Sequence, residues 1–120
     1  MTTNNYYFFF KGRVALYAIL KSLEIKPGDE IILPGFTCVV VPNAILYCGV
    51  KPIYVDIDEN TFNINPNLIE EKINSKTKAI IVQHTFGIPA QMDKIIEIAK
   101  KITCFSLKIH VMLLDLNIII

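Results

Sequence analysis

Apolar positions along the chain recur at helical and then at strand spacing, in alternation. Over residues 13–23, Leu16, Ile19, Leu20 and Leu23 share one face while Lys21, Ser22 and Glu24 take the other, which predicts a helix ended by Pro27 and Gly28. Residues 30–33 form a short apolar run closed by Pro34 and Gly35. Residues 39–47 then read as a second helix, with Pro42 tolerated in its first turn and Gly49 as its stop. Residues 52–55 are the next strand and run into the turn-rich DIDEN. Residues 68–73 are amphipathic, and residues 79–83 read as a third, fully buried strand. Residues 92–101 give a further helix with Ile95, Ile96 and Ala99 inward. Residues 1–11 begin polar and turn aromatic, as an arm packing on something larger.

Strands alternating with helices predict an α/β fold with a mainly parallel sheet covered on both faces. In such sheets ligands collect at the carboxyl ends of the strands, so the turns at 34–38, 56–58 and 84–87 should converge. A fourth place for chemistry is the start of the first helix, where Gly12 and Arg13 leave amide donors at a positive helix end suited to a phosphate.

Composition narrows the picture. In 120 residues, Lys plus Arg is 12 and Asp plus Glu is 11, a balance that argues against a surface tracking nucleic acid. The hydrophobic share is 52% and the mean hydropathy +0.45, yet no membrane segment is expected. Residues 6–10 are too short to span, and residues 102–120 are broken by Lys108, His110, Asp115 and Asn117. Cys38, Cys48 and Cys104 form neither a CxxC nor a Cys/His cluster, so no disulfide framework or zinc site is expected, in keeping with a reducing cytoplasm.

Four constellations carry candidate chemistry, each with a plainer reading beside it. KGRVAL sets a glycine and the chain's only arginine at a helix start, where amides and guanidinium can share a phosphate; alternatively Gly12 allows the turn and Arg13 is solvated. In PGFTC, Cys38 sits near a helix N-terminus, where a thiolate is favoured. A nucleophile there would need His84 as its base; the plainer reading is a small packed thiol with Thr37 capping the helix. VDIDEN carries two carboxylates that could serve a metal or an acid/base pair, or simply form a turn. His84, after a buried strand, reads by itself as a satisfied structural histidine.

Taken in order, GRVALYAILKSLEIKPGDEIILPGFTC, KPIYVDID and TKAIIVQHTFG make residues 12–101 resemble, without a gap, the N-terminal part of the DegT/DnrJ/StrS sugar-nucleotide aminotransferases. The resemblance implies the first part of the large domain of a fold-type-I, pyridoxal-phosphate-dependent enzyme. Such enzymes are usually homodimers that move an amino group from glutamate to a keto-sugar nucleotide for polysaccharide or glycoside synthesis. It implies that Gly12 and Arg13 hold the cofactor phosphate, arginine standing where Ser or Thr is usual. Cys38 falls where many members stack an aromatic ring on the pyridine, His84 matches the histidine of a VHxxG turn, and Gln91 stands where Asp is usual.

The family's aspartate partner of the ring nitrogen and its Schiff-base lysine follow later strands, and no residue here matches either. Residues 102–120, ITCFSLKIHVMLLDLNIII, match nothing in the family. Reverse translation with one T restored after the Lys101 codon lets the shifted frame read YNMFFFEDSCDALGSKYNN, which contains the missing aspartate motif. The expectation is therefore three strands with flanking helices over residues 1–101, a frameshift-derived tail at 102–120, and an inactive 120-residue chain. Two other readings were weighed: a dehydratase of the same family, which has His in place of the lysine, and a sugar- or phosphate-binding module whose residues 102–120 are a true final strand.

Overall fold

The apolar stripe after Gly12 forms α1 (Gly12–Ser22), with Leu16 and Leu20 buried and Ile19 and Leu23 packed against the same cluster. The short apolar runs form β1 (Glu30–Pro34), β2 (Lys51–Val55) and β3 (Thr77–Gln83). The other helices are α2 (Val40–Tyr47) and α3 (Met92–Lys101). The computed structural model describes residues 7–102, 105–109 and 116–119. The sequence expectations for residues 1–6, 103–104, 110–115 and 120 lie outside the described residues. No helix among those described is long and apolar enough to cross a membrane.

Two strands beyond the expected three are present, β4 (Phe105–Ile109) and β5 (Leu116–Ile119). The sheet order is β2-β1-β3-β4-β5, parallel throughout except for the antiparallel β4–β5 pair. β3 is buried along nearly its whole length, so an unpaired flank would leave its amides and carbonyls without partners. Residues 105–109 meet that need in register, from Ala79↔Phe105 to Gln83↔Ile109. At the opposite margin β2 is the outer strand, with Pro52 beside Ile31 of β1.

The amphipathic stretch 68–73 winds into 3-10 turns at Pro66–Leu68 and Glu70–Lys72, because Pro66 and the Asn74 turn bracket a stretch too short to repay α-helix nucleation. One other detail departs from the sequence pattern. In α3 the inward residues are Ile95, Ile98 and Ala99, with Ile96 only half-buried. The i, i+3, i+4 spacing from Ile95 selects Ile98 for the core face.

Alternation along the central strands builds two cores. Ile31, Leu33, Ala79 and Ile81 pack with α1 and α2, while Ile32, Ile80 and Val82 pack with α3 and the 3-10 turns. Cys48, buried in the first core, has its thiol pushed above the ordinary value by burial, so it serves as a small apolar filler. It and Cys38 are free thiols.

The amino ends of the strands are tied at Glu30. Its carboxylate accepts from Asn74 Nδ2 at 2.7 Å and from Lys51 Nζ at 3.5 Å, joining β1 to β2 and to the approach to β3. The Asn74 hydrogen bond holds its pKa below the ordinary 4.5; burial opposes this and Lys51 assists it. Because the folded value is the lower one, the stabilisation is complete above about pH 4.5 and disappears as pH falls through the folded value. Glu30→Gln should therefore flatten the acid limb of a plot of urea midpoint against pH; superimposable limbs would exclude Glu30 as a source of acid sensitivity.

Gly49 ends α2 at φ +74°, and a Cβ there would meet Pro27 Cγ at 3.0 Å. Gly49→Ala should cost about 1–2 kcal/mol from the left-handed backbone alone, read as a lower urea midpoint at unchanged slope.

Candidate functional site

β1 and β3 lie side by side, yet the chain leaves them in opposite directions. From β1 it crosses through α2 to β2 on one flank; from β3 it crosses through α3 to β4 on the other. Since α2 and α3 cover opposite faces, the chain parts at the carboxyl ends of these two strands, which is the switch point where open α/β sheets bind ligands.

Of the three turns expected to converge, 34–38 and 84–87 meet through Phe36 and Phe86, and the third partner is Phe62, just beyond the 56–58 turn; the three rings stand at centroid separations of 5.7, 6.2 and 5.9 Å. All three rings are partly exposed. Gly35 N donates to Val55 O at 2.8 Å, holding the first loop to the end of β2. Phe62 and Phe86 have left-handed backbones, φ 57° and 53°, conformations a bulky residue adopts only when its surroundings enforce them.

Asn63 supplies that enforcement. Its buried side chain accepts from Thr85 N at 2.8 Å and donates to Ile88 O at 2.9 Å, while Thr85 Oγ1 donates to Phe62 O at 3.2 Å. His84 joins the same knot: its Nδ1 accepts from Ala90 N at 2.9 Å, which puts the imidazole proton on Nε2. Cys38 is an exposed free thiol, whereas His84 is buried with its Nδ1 committed to Ala90 N, an arrangement that does not pair the two as nucleophile and base. The DIDEN carboxylates make a turn. Asp58 Oδ1 accepts from Asn60 N at 2.9 Å and from Thr61 N at 3.1 Å, and no group of three or more potential ligands is set to hold a metal ion among the described residues.

The start of α1 remains open. Lys11 stands at its N-cap without a side-chain cap, the first turn holds no acidic residue, and a Cβ on Gly12 would meet nothing within 4 Å. The amides of Gly12 and Arg13 thus face outward at the positive helix end. Arg13 is exposed on a groove of about 400 Å³ between α1 and α2, lined also by Val14, Tyr17, Val40, Asn43 and Tyr47. The first turns of the two helices therefore lie side by side, and α2 starts just after the carboxyl end of β1. Cys38 is exposed at that end.

Thr37 does not cap α2, whose first turn has no side-chain cap. Instead its Oγ1 is buried without a hydrogen-bond partner, as is Gln83 Oε1 at the end of β3; these are the two such side-chain atoms among the described residues. An open helix start with the sole arginine and two orphaned polar atoms fit a phosphorylated ligand carrying further polar groups. Asn63, Gln83 and the aromatic trio were not picked out from the sequence. The available signal was the adjacent Phe and Thr in each segment: Phe36–Thr37 in PGFTC, Thr61–Phe62 in NTFN and Thr85–Phe86 in HTFG. Asn63→Ala should strand the Thr85 amide and the Ile88 carbonyl, costing about 2 kcal/mol and raising hydrogen exchange across residues 84–90 before the sheet; uniform exchange would contradict its role as the clamp.

A model of the DegT/DnrJ/EryC1/StrS aminotransferase family matches residues 9–107. Over 97 residues the chain is 43% identical to GDP-perosamine synthase of Escherichia coli O157:H7, covering 81% of this chain and 27% of that one. It is 44% identical over 90 residues to the UDP-2-acetamido-2-deoxy-3-oxo-D-glucuronate aminotransferase of Pseudomonas aeruginosa, covering 75% and 25%. The crystal structure of NtdA from Bacillus subtilis with bound cofactor PMP superposes with a TM-score of 0.79 at 38% identity, covering 81% of this chain and 22% of that one. The chain thus spans about a quarter of the length of the proteins it matches.

Proposed function

The chain belongs to the DegT/DnrJ/EryC1/StrS aminotransferase family, and from that membership we propose that residues 12–101 are the phosphate-holding part of a nucleotide-sugar aminotransferase. The fold is the first part of a fold-type-I large domain, and pyridoxal phosphate is the cofactor of the family. The single observation that carries the proposal to this chain is the uncapped start of α1 bearing Gly12 and Arg13. Its amides and the guanidinium are the donors for the cofactor phosphate, the anion gaining from the helix dipole as well as from direct hydrogen bonds. The turn at residues 34–38, with Cys38, borders the ring. His84 contributes by fixing the 84–90 turn through Ala90, so that Phe86 and Gln83 keep their places.

When bound, pyridoxal phosphate supplies the electron sink through which an amino group passes from a donor such as glutamate to a keto-sugar nucleotide. By the resemblance, the ring-nitrogen aspartate and the cofactor-bearing lysine of the family fall outside residues 12–101, so the role proposed for these residues is to hold the cofactor rather than to transfer the amino group; the family enzyme is proposed to work as a cytoplasmic homodimer. Titration of the chain with pyridoxamine 5′-phosphate should saturate, and Arg13→Ala should weaken it about tenfold or more, the worth of one charge-assisted hydrogen bond. Unchanged affinity in that variant would remove Arg13 from the phosphate site.

A further inference from the structure

β3 ends in a side chain that the fold buries without satisfying. Gln83 is 3% exposed, and its Oε1 has no hydrogen-bond partner among the described residues. Leaving a buried acceptor unpaired is costly, and such groups in a well-packed sheet need an explanation. Ala79 and Ile81 of the same strand pack against α1 and α2, so alternation turns Gln83 toward that face as well. Thr37, in the loop that follows the neighbouring β1 and leads into α2, carries the second orphaned atom. The two thus follow or end the adjacent strands β1 and β3, from which the chain parts at the switch point.

We infer that Thr37 and Gln83 are ligand-binding residues of the switch-point crevice, Gln83 Oε1 accepting a hydrogen bond from an N–H or O–H of the bound pyridoxal phosphate and the Thr37 hydroxyl serving as a second polar contact. The inference rests on the cofactor reading above and deepens it. Gly12 and Arg13 would accept any phosphate, whereas a carbonyl acceptor at the end of β3 would discriminate in favour of a phosphate ester that also carries a donor. A vitamin B6 phosphate carries such donors on its ring, in the protonated ring nitrogen and, in the amine form, the ammonium group. Inorganic phosphate has no donor at that distance from the phosphorus.

The test uses the 120-residue chain with pyridoxamine 5′-phosphate, which cannot condense with the eleven lysines, and inorganic phosphate as the comparison ligand. Gln83→Leu should weaken pyridoxamine phosphate about tenfold while leaving phosphate affinity unchanged, and the unliganded Tm should hold or rise because an unpaired buried polar group has gone. Thr37→Val should weaken pyridoxamine phosphate in the same direction with the unliganded Tm retained. A Gln83→Leu chain that binds pyridoxamine phosphate as the parent does, or whose unliganded Tm falls by several degrees, overturns the inference. So does a parent chain that binds both ligands equally, which would leave the phosphate site standing. Failure of the parent to bind either ligand would overturn the cofactor reading and this inference together.

Discussion

β1 and β3 are buried on both faces and along both flanks, so the two strands at the centre of the sheet can be left only through their ends. Parallel pairing then obliges each strand to hand its chain to a crossover, and here the two crossovers go to opposite faces and opposite flanks. The separation of α2 from α3 follows from this constraint, as does the gap between the loops that lead to them. The functional geometry is a by-product of closing two cores against one sheet. Because that gap is a place where backbone turns away from its hydrogen-bonding ladder, it gathers the strained and unsatisfied groups that the core cannot tolerate: the left-handed Phe62 and Phe86, and the orphaned Thr37 and Gln83.

The two ends of the sheet are stabilised by different chemistry. At the amino end a carboxylate, an amide and an exposed lysine knit three segments together, with the amide the main contributor and the lysine held loosely at 3.5 Å. At the carboxyl end the ties run from Asn63, Thr85 and His84 to backbone groups, leaving the side chains nearer the crevice for other partners. An ionic device occupies the end remote from the candidate site, and neutral hydrogen bonds hold the loops that line it.

Legibility in the sequence tracked how local the determining physics is. The stripe of α1 and the β3 run were visible because periodicity and burial act along one segment, and the convergence of the turns at 34–38 and 84–87 followed from a topological rule that needs only element order. Ile96 and Ile98 exchanged roles because a single strip of α3 can be rotated by one residue without disturbing its polar face. The 3-10 turns at residues 66–72 escaped because helix nucleation competes with two brackets, Pro66 and Asn74, whose effect depends on what Asn74 binds. β4 and β5 were hidden since their pairing answers a need of β3 rather than a signal of their own. At the site, Gly12 and Arg13 stood out by type and position. Asn63 and Gln83 did not, because an amide in a loop or at a strand end acquires meaning only from what lies across the fold. The family resemblance supplied what spacing alone could not, namely the cofactor.

Pro52 in the outer strand bears on a matter separate from ligand binding. An edge strand tolerates proline because half of its amide ladder has no partner within the sheet. The same ring withholds a donor and stiffens the chain where a foreign strand would dock, so lateral accretion of sheets is discouraged at this margin. Colloidal behaviour of the folded chain is thus shaped at this side by Pro52, a residue apart from the Lys51 tie at one end of its strand and the Val55 contact at the other.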